Sequence, residues 1–106
     1  MMTNEVSKAY WIAFVTVTDP EAYGDYQQLA PAAFAKYGAE FLVRGGAADT
    51  LEGQTWQRHV VISFDSKEQA LACYNSPEYQ NAREHRSAAC TANIVIVDGQ
   101  PPAQKA

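Results

Sequence analysis

Residues 9–18, Ala-Tyr-Trp-Ile-Ala-Phe-Val-Thr-Val-Thr, are a run of β-branched and aromatic side chains that predicts a strand. Asp19-Pro20-Glu21 follows as an N-cap, a proline at the first helical position and an acid in the first turn. Tyr23, Tyr26, Leu29, Ala30, Ala33, Phe34 and Tyr37 then recur at steps of three and four, which makes one apolar helical stripe. Pro31 falls inside that helix and is expected to kink or split it, because it removes a hydrogen bond and clashes one turn back. Gly38 closes the helix.

Residues 40–44 read as a second strand, ended by Gly45-Gly46. Residues 47–55, with Asp49, Glu52 and Gly53, look like the connection of a hairpin to a third strand at 56–64. Ser66-Lys67-Glu68-Gln69 is a capping-box pattern that opens a short helix through Tyr74. Asn75-Ser76-Pro77-Glu78 breaks and recaps it, and the stretch that follows carries Tyr79, Ala82, Arg83 and Arg86. A last strand runs from about Asn93 to Val97, and Asp98-Gly99 ends it. The order is β-α-β-β-α-β with the second helix broken near Ser76-Pro77. That is the order of an α+β, ferredoxin-like sandwich with an antiparallel sheet. A single domain is expected over 8–99, with mobile termini at 1–7 and 100–106.

Alternation within the outer strands goes further. Tyr10, Ile12 and Phe14 point one way along the first strand, and Trp11, Ala13, Val15 and Val17 the other. In the last strand Ile94 and Ile96 oppose Val95 and Val97. Both faces are apolar, whereas one layer of helices covers only one. The expected cover for the second face is a second copy of the chain, giving a homodimer through the sheet face.

Composition narrows the function. A single domain of 106 residues has 8 Lys and Arg against 12 Asp and Glu, a net charge of −4. That balance argues against a general nucleic-acid binder, and no basic amphipathic stretch suits an anionic membrane surface. The first residues lack the pattern of a signal peptide, and Cys73 and Cys90 fit neither a disulfide framework nor a zinc or redox motif. The expectation is two reduced thiols in a cytoplasmic protein. His59 and His85 have no partners at metal-ligand spacing, so neither a metal nor a cofactor is expected.

Several segments in order carry a resemblance: Ala9-Tyr-Trp-Ile12, Asp19-Pro-Glu-Ala-Tyr23, Phe34-Ala-Lys-Tyr-Gly38, Phe41-Leu-Val-Arg-Gly-Gly46, Leu51-Glu-Gly53, Tyr74-Asn-Ser-Pro-Glu-Tyr79, Arg86 and Val97-Asp-Gly99. Over roughly residues 8–99 the chain resembles the bacterial domain of unknown function 1330, a branch of the dimeric α/β-barrel superfamily. The resemblance implies the ferredoxin-like dimer and supplies no reaction. Where that family usually has a glutamate before the phenylalanine that ends the third strand, this chain has Ser63. No role for that carboxylate carries over. The wider superfamily includes cofactor-independent monooxygenases and lactone isomerases.

Candidate chemistry is sparse. Arg44, at the end of an apolar strand and before two glycines, suits a bidentate grip on a carboxylate or phosphate. Its structural alternative is a pair with Glu52 or Glu40 and a bulge at the glycines. Arg58 on the next strand lies near Arg44 if the hairpin turns close to Leu51, and two like charges there call for an anion. His59, on one face with Val61 and Ser63, is the candidate general base, or else a hydrogen-bonded histidine at the edge of an interface. Arg86 is a candidate ligand residue, or a cation meeting a helix dipole. Tyr74 and Tyr79 either line a pocket or staple two short helices to the sheet. A small, anionic organic molecule is the expected ligand of a binding protein or cofactor-independent enzyme. A non-catalytic structural or regulatory module is the competing reading.

Overall fold

The computed structural model describes residues 7–101, so most of both expected mobile termini lies outside the described residues. The strands are β1 (Ala9–Val17), β2 (Glu40–Arg44), β3 (Arg58–Phe64) and β4 (Cys90–Asp98). The helices are α1 (Pro20–Lys36), α2 (Lys67–Tyr74) and α3 (Pro77–Arg86). The sheet is antiparallel throughout, in the order β2-β3-β1-β4, and the helices cover one of its faces. This is the ferredoxin-like arrangement that the element order predicts.

Local chemistry sets the helix boundaries. The Asp19 carboxylate accepts from the Ala22 amide and starts α1. Ser66 Oγ accepts from the Gln69 amide at 3.1 Å to start α2. Ser76 Oγ accepts from the Tyr79 amide at 3.1 Å and donates to the Cys73 carbonyl at 2.7 Å. One hydroxyl thus ends α2 and starts α3, which is why the second helix breaks there.

Two expectations need correction. Pro31 does not split α1, which runs unbroken on both sides of it. Its ring costs one intrahelical bond, whereas Ala30, Ala33 and Phe34 are buried around it and keep the helix on the sheet. Leu29, placed on the apolar stripe by its spacing, is 39% exposed, because the stripe that packs is the narrower one through Tyr23, Ala30, Ala33 and Phe34.

Trp11, at the middle of β1, is 2% exposed and organises the core. The rings of Phe34 and Tyr79 meet it edge-on, each at 5.0 Å, and Tyr74 lies at 5.7 Å. Across the sheet, Tyr10, Ile12 and Phe14 share the open face with His59, Val61, Val95 and Val97. Val95 stays 51% exposed and Val97 43% exposed there. The open face is therefore as apolar as the alternation indicates.

Candidate functional site

Three arginines, from the start of β3, the end of β2 and the end of α3, line one cavity. Arg58 opens β3 opposite Val15, on the helix-covered face. Arg44 reaches that face only through a bulge. Phe41 pairs with Ile62 and Arg44 with Val60, while the register shifts at Leu42 between them. Strict alternation puts residues 41 and 44 on opposite faces, and one extra residue in the strand puts them on the same one. Arg86 arrives from the last turn of α3 and is only 8% exposed.

The side chains enclose a cleft in two parts. An inner cavity of about 60 Å³ is walled by Trp11, Ala13, Phe34, Ile62 and Ile94, with Tyr26 and all three arginines on its lining. An outer vestibule of about 410 Å³ is lined by Val17, Pro20, Gly45 and Gln57. Tyr23, Gln27 and Arg58 border both parts, so the vestibule adjoins the cavity. Gln57 fixes the vestibule wall: its Oε1 accepts from the Val17 amide at 2.9 Å.

No carboxylate lines either part. Among the described residues none of the three arginines makes an ion pair, including the Glu40 and Glu52 pairings considered for Arg44. The register shift in β2 lies at Leu42, while Gly45 beside Arg44 has a φ of +71° and donates its amide to the His59 carbonyl at 2.8 Å. The Arg44 guanidinium instead lies 4.2 Å above the Phe41 ring at the exposed rim. Arg86 donates from Nη2 to the Tyr79 hydroxyl at 3.1 Å and lies 5.3 Å from the Tyr26 ring centre. The Tyr79 and Tyr26 hydroxyls are 2.9 Å apart. Burial lifts Tyr23, Tyr26 and Tyr79 above the ordinary tyrosine range, and nearby arginines offset this only partly. The phenols stay neutral near pH 7 and do not balance the arginine charge. Arg58 Nε and Arg86 Nε are buried without a hydrogen-bond partner.

The family model for a domain of unknown function (DUF1330) matches residues 8–100. The chain belongs to the DUF1330 family. Among functionally curated proteins none matches the sequence significantly. Solved structures share the fold at low identity. A protein of unknown function from Rhodopseudomonas palustris is 18% identical, with a TM-score of 0.76 over 91% of this chain and 85% of that one. A dimeric ferredoxin-like protein of unknown function from Bacteroides fragilis is 13% identical, with a TM-score of 0.61 over 91% of this chain and 100% of that one. A cofactor-independent oxygenase from Streptomyces nogalater is 12% identical, with a TM-score of 0.60 over 94% of this chain and 100% of that one.

Within this DUF1330 fold, not all the candidate residues meet. Arg44, Arg58 and Arg86 do. Tyr79 is fully buried behind the cavity wall, where it holds Arg86 and packs on Trp11. Tyr74 packs on Trp11 and Tyr79 and does not line the cleft. His59 lies across the sheet, 5.5 Å from the Phe14 ring, with Nδ1 buried and unpartnered. The sheet separates it from the arginines. Tyr23 and Tyr26, which their spacing places on the apolar stripe of α1, pack in or against the core and also line the cleft. Their hydroxyls were the available signal, since a buried tyrosine needs a polar partner.

Proposed function

We propose that this DUF1330 protein is a homodimer that binds a small organic anion in the cleft between its sheet and α1. The carrying observation is Arg86: a guanidinium 8% exposed, set among aromatic rings in a cavity with no carboxylate on its lining. A buried charge without a counter-charge is costly, and a bound anion supplies one. The protein as a whole carries a net charge of −4, so a cluster of three arginines is not a by-product of a basic surface. Arg44, Arg58 and Arg86 are the binding residues of this reading, with Tyr79 positioning Arg86.

The dimer forms through the open sheet face, where Ile12, Phe14, Val61 and Val95 exchange water for a second copy. Structural neighbours described as dimeric support this assembly. His59 then lies at the interface, not at the ligand. The location proposed is cytoplasmic, on the strength of Cys73 and Cys90, both unpaired; no helix among the described residues is long and apolar enough to cross a membrane.

Native mass spectrometry on the freshly purified protein tests both parts. The expected species has about twice the 11.6 kDa chain mass and carries a small-molecule adduct that is lost in Arg58→Met. A monomer contradicts the assembly. An adduct that persists in Arg58→Met contradicts the site.

A further inference from the structure

The inner cavity is small and its free donors are few, and together these restrict what fits. About 60 Å³ is less than half of the roughly 150 Å³ that accommodates a benzene ring in an apolar protein cavity. A group of the size of a carboxylate enters, and a ring does not. The vestibule, at about 410 Å³, is large enough for the body of such a molecule. We infer that the cleft takes an organic monocarboxylate with a flat or apolar body, carboxylate first. The carboxylate sits in the inner cavity on Arg86 and Arg58, and the body lies in the vestibule. This rests on the reading of the cleft as a ligand site.

The donor inventory supports that orientation. One Arg86 nitrogen, Nη2, is committed to Tyr79, while the buried Nε groups of Arg86 and Arg58 lack acceptors. Two guanidinium edges match two carboxylate oxygens. The Tyr26 hydroxyl, on the cavity lining and 2.9 Å from that of Tyr79, donates to the carboxylate when Tyr79 in turn donates to it. The reverse orientation, with the charge at Arg44 on the rim, fills the cavity with an apolar group and leaves Arg86 uncompensated.

A phosphoryl group fits less well. Such dianions are usually held by successive backbone N–H groups or an open helix N-terminus. The helix that starts at the vestibule, α1, is capped by the Asp19 carboxylate and begins with Pro20, which has no N–H. The inner walls are apolar and penalise a second charge.

Isothermal titration of the purified full chain with benzoate, trans-cinnamate, benzamide and phenyl phosphate tests the inference. Benzoate and cinnamate are expected to bind, with benzamide weaker by at least ~30-fold because it lacks the charge. Arg58→Met is expected to weaken benzoate by a similar factor. Tyr26→Phe is expected to weaken it several-fold while keeping the thermal midpoint within a few degrees. Should Arg86→Met fail to fold, those two variants still decide the matter. Benzamide binding as tightly as benzoate, or phenyl phosphate binding more tightly, overturns the carboxylate while leaving the cleft a ligand site. Failure of all four probes also overturns it, and the broader reading falls with it only if the native mass spectrum shows no Arg58-dependent adduct.

Discussion

Gly45 is the residue on which the cleft's geometry depends most directly. Its φ of +71° lies in the left-handed region, and a Cβ placed on it meets Arg58 Nη1 at 2.6 Å. The absent side chain leaves the space in which the Arg58 guanidinium lies. Two other glycines separate backbone strain from this contact. Gly53 has φ +89° and open space around it, and Gly46 has neither constraint. In thermal denaturation, Gly46→Ala is expected to be nearly silent and Gly53→Ala to cost about 1–2 kcal/mol. Gly45→Ala is expected to cost more than Gly53→Ala and, alone of the three, to weaken benzoate binding. Equal binding in all three variants contradicts the positioning of Arg58 by Gly45. The sequence makes the Gly45-Gly46 pair visible beside Arg44, but not which glycine is needed. That depends on a side chain thirteen positions on, and local spacing says nothing of it.

At the scale of elements, the helix layer buries groups whose burial is favourable only while they are protonated. Cys73, on α2, is fully buried and its Sγ donates weakly to the Ala33 carbonyl of α1 at 3.8 Å. Burial, with a smaller contribution from Glu78, pushes its thiol up from 9.0 to about 11. Between those values the folded chain keeps a proton that the unfolded chain has released, so stability falls as pH rises. Below about pH 9 the contribution is complete. Tyr26 of α1 and Tyr79 of α3, also raised chiefly by burial, act with the same sign at higher pH. Urea unfolding is therefore expected to lose on the order of 2 kcal/mol between about pH 8 and pH 10.5. A flat profile over that interval contradicts the burial of these groups. The elements themselves were largely legible. The caps at Asp19, Ser66 and Ser76 are read from residue type and position, and all three form. The bulge at Leu42 was not legible: Phe-Leu-Val is an ordinary strand sequence, and only pairing with β3 exposes the extra residue. It is this bulge that turns Arg44 toward the helices. Likewise, spacing identifies the face on which His59 lies, but the position of the arginines on the other face requires the assembled sheet.

Over the whole molecule, two asymmetries stand out. One sheet face is covered by helices while the other leaves Val95 and Val97 about half exposed, and a second copy is the proposed cover. The chain's charge is −4, yet one end of the covered face gathers Arg44, Arg58 and Arg86 with no carboxylate on the cleft. The first asymmetry is plain in the alternation of β1 and β4. The second is hidden in a sequence that spreads those arginines over 43 positions, from Arg44 to Arg86 inclusive. The direct measurement is a titration with benzoate followed in ¹H–¹⁵N spectra of the arginine side chains. The Nε–H signals of Arg86 and Arg58 are expected to shift and saturate, while that of Arg83, which lies over Tyr74 outside the cleft, stays in place. Arg86 and Arg58 signals that do not move at high benzoate, or that move no more than Arg83, contradict an anion site in this cleft.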